Sequence, residues 1–233
     1  MQERDVPFRH EFKYPIHEGW RAIEEAKIRV IAEKDPHVGE KGFYNIRSLY
    51  FDDYDNSCYM ENENGVDNRE KFRIRIYDCK KERISLEIKR KIHGKTNKES
   101  CLITYEQCRK LMSGVIPEEI YENQRVLRRL VFLMETRLMQ PTVIVQYDRT
   151  PYIYRKEDAN VRVTFDQNII ALSDPQELFD REATGRGVLP IGVSLMEVKY
   201  DSFLPDEVYA LLQMNELRAS TFSKYYLCRK FSI

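Results

Sequence analysis

The sequence predicts an α+β fold in which an antiparallel sheet closes into a tunnel, with helices packed against its outside. Three observations predict it. Segments of strand-like alternation outnumber helical ones, and several are joined by connections of hairpin length. Where a half-buried strand usually alternates apolar with neutral polar residues, these strands carry charges, as in Phe72-Arg73-Ile74-Arg75-Ile76-Tyr77, Leu86-Glu87-Ile88-Lys89 and Leu195-Met196-Glu197-Val198-Lys199. The charged faces are also biased in sign: Arg73, Arg75, Lys89, Arg149, Arg162 and Lys199 share them with only Glu87, Asp166 and Glu197. Side chains two apart point to one face of a strand, and like charges set opposite each other destabilise a sheet, so a solvated face would mix signs. A closed sheet resolves the conflict, because apolar faces then meet the outer helices and the cations line a lumen that takes an anion.

In chain order, residues 7–16 form a first strand with Glu11 and Lys13 on one face. Trp20, Ile23, Val30 and Ile31 then give an amphipathic helix running to about Lys34, with Trp20 and Tyr14 in the core. Residues 43–51 make the next strand, which leads into an acidic, Asn-rich turn region from Asp52 to Asn68. Strands near 70–78 and 83–92 form a hairpin around Asp78-Cys79-Lys80-Lys81-Glu82, and a short strand follows Gly94. Thr104 with Gln107 three residues later predicts a capping box, for a helix that Gly114 closes. Pro117 suits the first position of a long helix through Ile120, Leu127, Leu130 and Leu138, ended by Pro141. Strands at 142–155 and 160–171 pair around Asp158-Ala159-Asn160, a strand follows at 191–200, and short helices close the chain at Pro205–Met214 and Lys224–Lys230. No repeat, linker or low-complexity tract divides residues 1–233, so one domain is expected.

Composition narrows the chemistry. Lys plus Arg (38) equals Asp plus Glu (38), so no global field draws nucleic acid or a membrane surface, and an anion site must be local. The polar faces also lack the exposed aromatics on which bases stack. Five cysteines with no C-x-x-C pair suggest free thiols, and no apolar run reaches the roughly 20 residues of a membrane helix. A soluble cytoplasmic protein is expected. The glycines form no G-x-x-x-x-G-K-[ST] loop, so phosphate binding would rest on side chains. Arg forks match phosphate oxygens, and carboxylates among them suit a divalent metal that shares those oxygens.

The ordered set Phe8-Arg9-His10-Glu11-Phe12-Lys13-Tyr14, Ile46–Asp52, Phe72–Tyr77, Leu86–Arg90, Tyr147-Asp148-Arg149, Val161–Phe165, Leu195–Lys199 and Phe222-Ser223-Lys224-Tyr225 resembles the VTC domain of the triphosphate tunnel metalloenzymes across nearly the whole chain. The resemblance implies an eight-stranded antiparallel tunnel in which the γ-phosphoryl of ATP passes to a growing polyphosphate chain, releasing ADP, with Mn²⁺ or Mg²⁺ as cofactor. Lys13, Arg73, Arg75, Lys89, Arg149, Arg162 and Lys224 match its phosphate-binding positions, with Lys98 a further candidate. Tyr147 and Ser223 match positions that help bind phosphate or nucleotide, and Glu197 matches the metal-binding glutamate. Glu11 and Glu87 are either further metal ligands or countercharges to nearby lysines. Lys199 either faces the phosphates or pairs with Glu197.

Two departures bear on activity. The related hydrolases carry E-x-E-x-K on the first strand, whereas here Arg9 replaces the first carboxylate, which favours the polymerase-like branch. Thr221 stands where the fungal enzymes carry a second lysine. The alternatives are a triphosphatase or polyphosphate hydrolase on the same tunnel, and a non-enzymatic module that binds polyphosphate or inositol phosphates. Any export of polymer would require a separate membrane protein.

Overall fold

The computed structural model describes residues 9–156, 159–212 and 217–232. Its strands are β1 (His10–His17), β2 (Glu33–Lys34), β3 (Tyr44–Asp52), β4 (Arg69–Tyr77), β5 (Ile84–Ile92), β6 (Lys95–Ile103), β7 (Gln140–Lys156), β8 (Ala159–Leu172), β9 (Arg186–Gly187) and β10 (Val193–Tyr200). Its helices are α1 (Glu18–Ile31), α2 (Ser57–Glu63), α3 (Tyr105–Met112), α4 (Arg125–Arg137), α5 (Asp206–Leu212) and α6 (Lys224–Lys230). Eight strands form one curled antiparallel sheet in the order β1-β10-β8-β7-β3-β4-β5-β6, with β2 added to β7 and β9 to β8.

The α+β class and the antiparallel sheet are as expected, but the expected closure is not. The ladder stays open between β1 and β6, whose edges meet at a single bridge where Arg9 and Thr96 exchange backbone hydrogen bonds of 2.8 and 3.0 Å. Beyond that bridge the strap leading into α6 takes the free edge of β1: Ser220 N–H donates to the Lys13 carbonyl at 2.8 Å.

Alternation places the apolar residues as read from the sequence. Ile74, Ile76, Leu86 and Ile88 are fully buried against Leu111 of α3 and Leu127 and Leu130 of α4. Val161, Val163 and Val198 pack against Ile28 of α1 and Val208 of α5. A third cluster lies on the concave side, where α6 lays Tyr225 and Cys228 on Val143, Val145 and Leu195. Helix α6 therefore fills one end of the concavity with apolar contact and leaves the remainder to polar groups.

The capping box forms as predicted, Thr104 Oγ1 accepting from Gln107 N–H at 3.1 Å and Gln107 Oε1 from Thr104 N–H at 2.9 Å. The long helix is shorter than the sequence suggests and begins at Arg125. The cause is tertiary: the buried Gln124 amide exchanges hydrogen bonds with Gln107 and also binds Tyr121 N–H and the Leu102 carbonyl, which fixes the chain outside helical geometry before it. The stretch expected to be only turn contains α2, because the buried Asp52 carboxylate accepts from the N–H groups of Cys58 and Tyr59 at 2.8 and 3.1 Å. Phe8, Asp158 of the expected turn and Met214 of the expected helix end lie outside the described residues.

Candidate functional site

The strand period decides what faces the concavity. On β4, Arg69, Lys71, Arg73 and Arg75 share one face, and the register sets Lys91, Lys89, Glu87 and Ser85 of β5 opposite them. Two consecutive cross-strand pairs, Arg69/Lys91 and Lys71/Lys89, are thus cation against cation. All six of these cations border a cavity of about 220 Å³ in the concave face.

At the inner end the cations are compensated. Arg73 Nε donates to Glu87 Oε2 at 2.8 Å and its Nη1 to the Tyr50 hydroxyl at 3.0 Å. Arg75 reaches Ser48 Oγ at 3.1 Å and the Tyr147 hydroxyl at 3.2 Å. Arg149 forks onto Asp166 at 2.6 and 2.7 Å and reaches Glu197 at 3.1 Å. Lys224, delivered by the first turn of α6, bridges Asp166 at 2.6 Å and Glu197.

Strands β1 and β10 form the other wall, where the register places Glu11 opposite Lys199 and Lys13 opposite Glu197. Charges therefore alternate across the two strands. Lys199 Nζ lies 3.0 Å from Glu197 Oε2 and 3.7 Å from Glu11 Oε1, and Lys89 reaches across to Glu11 at 2.7 Å. Lys13 Nζ donates to the Phe222 carbonyl at 2.7 Å, which ties the strap to this wall. Burial alone would raise both carboxyl groups. The ammonium groups of Lys13, Lys89 and Lys199 hold Glu11 well below the usual range, and Lys199, Lys224, Arg149 and Lys13 do the same for Glu197.

The outer end differs. Among the described residues no carboxylate lies within ion-pair distance of Arg69, Lys71 or Lys91. Arg69 donates to the carbonyls of Glu61 and Val66. Lys71 donates to Asn62 Oδ1 at 3.1 Å and stands 4.7 Å over the Tyr225 ring. Burial, followed by the Arg69 charge, pushes the Lys71 ammonium down to about 7. Lys89 is likewise pushed to about 7 by burial, in spite of Glu11. An anion is what this end lacks.

Of the residues singled out from sequence, Glu11, Lys13, Arg73, Arg75, Lys89, Tyr147, Arg149, Glu197, Lys199, Ser223 and Lys224 border this one cavity. Three do not. The Arg162 guanidinium is turned to Asp35 at 2.9 Å and the Tyr44 hydroxyl at 2.8 Å. Lys98 and Glu87 pair with each other at 2.9 Å behind Arg73, so Glu87 is a countercharge to Arg73. Sequence reasoning missed Arg69, Lys71 and Lys91, although the same alternation extended one pair outward on each strand reaches them.

Among the described residues no group of three or more His, Cys, Asp or Glu side chains could hold a metal ion. Glu11 and Glu197 nevertheless fit one, since they converge on a cation already, the Lys199 ammonium. Mg²⁺-type sites need only one or two carboxylates when substrate phosphates supply the other oxygens.

A curled antiparallel sheet with helices, gathering cations around a few carboxylates, is the architecture of the triphosphate tunnel fold. The chain belongs to the VTC domain family of that superfamily, whose profile matches residues 8–233. Among solved structures it is similar to a proposed adenylyl cyclase from Hippeastrum described as having a dominant triphosphatase activity, with 14% identity over 97% of this chain and 96% of that one and a TM-score of 0.54. A proposed adenylate cyclase from Bacillus halodurans has 12% identity over 89% of this chain and 87% of that one, with a TM-score of 0.49. At such identities the likeness is one of fold. No curated protein sequence matches the chain. The family places it among tunnel-fold phosphoryl-transfer proteins. Among the described residues no helix is long and apolar enough to cross a membrane.

Proposed function

We propose that the protein is a metal-dependent polyphosphate polymerase, moving the γ-phosphoryl of ATP onto the end of a polyphosphate chain with release of ADP. The observation that carries this reading is the column Arg69, Lys71, Arg73 and Arg75 on one face of β4, opposed at its outer end by Lys91 and Lys89. At about 3.4 Å per residue that column is about 20 Å long. A triphosphate covers only part of such a length, and a longer phosphate chain uses all of it. The repulsion between facing cations is relieved by a ligand with one charge on every phosphate.

In this reading Arg73, Arg75 and Arg149 hold the β- and γ-phosphates, and Lys224 grips the triphosphate from α6. Lys13, Lys89, Lys71 and Lys91 align the acceptor chain. Its terminal oxygen attacks phosphorus in line, the bond from the γ-phosphorus to the β–γ bridging oxygen breaks, and the electron pair leaves on ADP. The acceptor oxygen is already ionised, so no general base is required, and transfer depends on placement and charge neutralisation. Glu197 with Glu11 would hold Mn²⁺ or Mg²⁺, which supplies Lewis-acid neutralisation of the transferred phosphoryl group. ATP and polyphosphate are the partners, and export of product would need a separate membrane protein.

The triphosphatase activity of the Hippeastrum protein supports a second reading, in which water is the acceptor. Incubating purified protein with ATP and Mn²⁺ while following ADP, inorganic phosphate and long-chain polyphosphate separates the two. Polymer with stoichiometric ADP supports the polymerase. Phosphate without polymer makes it a hydrolase, and tight binding with neither product makes it a binding module.

A further inference from the structure

The Glu11–Glu197 pair is occupied by a side chain of the protein itself. These carboxylates sit diagonally on β1 and β10, with Lys199 directly across from Glu11 and two residues from Glu197. The Lys199 ammonium is 3.0 Å from Glu197 Oε2 and 3.7 Å from Glu11 Oε1. The same carboxylates are also held by Lys13, 3.5 Å from Glu11 Oε1, by Arg149, 3.1 Å from Glu197 Oε2, by Lys224 on Glu197 Oε1 and by Lys89 at 2.7 Å on Glu11 Oε2, but of these cations only Lys199 reaches both carboxylates. A free divalent cation entering here would meet carboxylates already neutralised and would have to break both Lys199 ion pairs to reach them. A phosphate chain removes that obstacle. It brings oxygens that complete the metal's shell and that accept the Lys199 ammonium, whose side chain is 30% exposed and long enough to turn.

We propose that Lys199 is a resident counter-ion that closes the Glu11–Glu197 pair to free metal, so that the divalent cation enters only together with a phosphate chain. The inference rests on the reading that both carboxylates face the phosphates, yet it concerns metal binding alone and is tested without catalysis. Lys199 is a positioning residue in this scheme: it sets the order of binding and need not touch the reacting atoms.

The test is titration of the phosphate-free protein with Mn²⁺, reading free Mn²⁺ by its electron paramagnetic resonance signal. Lys199→Met keeps the stem and removes the charge, and should bind Mn²⁺ at least about tenfold more tightly than the parent, because a cation beside two largely buried carboxylates is gone. Lys199→Gln should do likewise, which guards against a folding defect in one variant. Lys199→Arg should stay as weak as the parent. Adding Glu197→Gln to Lys199→Met should cancel the gain. Unchanged Mn²⁺ affinity in both neutral variants would overturn the proposal, as would a gain that survives Glu197→Gln or appears equally in Lys199→Arg. Failure of ATP turnover would bear on the transferase reading and leave this comparison intact.

Discussion

Replacing Glu87 with Gln removes the charge on which the inner end of the cation column depends. Glu87 is 2% exposed and Arg73 is 9% exposed. The carboxylate takes two Arg73 nitrogens at 2.8 and 2.6 Å and Lys98 at 2.9 Å. Gln is nearly the same size, so the change is electrostatic and leaves a buried guanidinium without its countercharge. Breaking a buried pair from one side costs about 3–5 kcal/mol, and for a chain of this length each kcal/mol moves Tm by about 2–4 °C, so the expected loss is about 6–20 °C. Burial would raise the Glu87 carboxyl, but Arg73, Arg75 and Lys98 outweigh it and hold the group well below the carboxylate range. A depressed folded-state pKa means that this stabilisation is complete above the unfolded value of about 4.3 and is lost as pH falls below it. The gap between parent and variant should therefore narrow on acidification. Calorimetry from pH 7 to pH 3 measures both effects. Tripolyphosphate should recover more of Tm in the variant than in the parent, since the freed Arg73 gains most from an anion. A loss below about 1 kcal/mol, the value for a solvated surface pair, would refute the argument that this face is enclosed.

Two further outcomes follow from the outer end of the column. Lys71→Met combined with Lys91→Met should weaken long-chain polyphosphate binding by about tenfold or more at low salt while affecting tripolyphosphate less, and the difference should fade at high salt; equal losses for both ligands, by competition titration, would count against an extended acceptor track. Because Lys71 and Lys89 are held near 7 in the free protein, a bound polyanion raises them, and binding at pH 8 should take up as many as about two protons. Calorimetry in buffers of different ionisation enthalpy reads that number directly, and no uptake would mean that both ammonium groups are already charged.

The sequence was most legible where period and sign coincide. Arg73 and Arg75 alternate with Phe72, Ile74 and Ile76, and Lys89 follows Ile88, all almost wholly buried, so the face of these cations could be read without coordinates. Arg69 and Lys71 obey the same rule, and the expected strand near 70–78 already held Lys71, but the polar, Asn-rich stretch beside them drew the reading to the apolar-flanked Arg73 and Arg75. Closure was beyond reach because the alternation of a closed sheet and of an open curled one is the same. The contacts of Arg162 were hidden for a related reason. Its partners Asp35 and Tyr44 come from the loop after β2 and from the start of β3, and no local pattern announces that they converge on it. Gln124 was equally silent, since a buried glutamine that ends up holding two elements together looks in the sequence like any polar helix residue.

The pairing of β1 with β10 joins His10 to Tyr200, the two ends of a ladder that the ribosome makes far apart in time. Lys13 waits for Glu197 across from it and for the Phe222 carbonyl, and Glu197 waits for Lys224. No nascent fragment ending before that point can assemble the wall. Contacts of such long separation form slowly, so this wall of the pocket is completed late. The β4–β5 column, by contrast, joins residues close in the chain and is in place before that wall arrives.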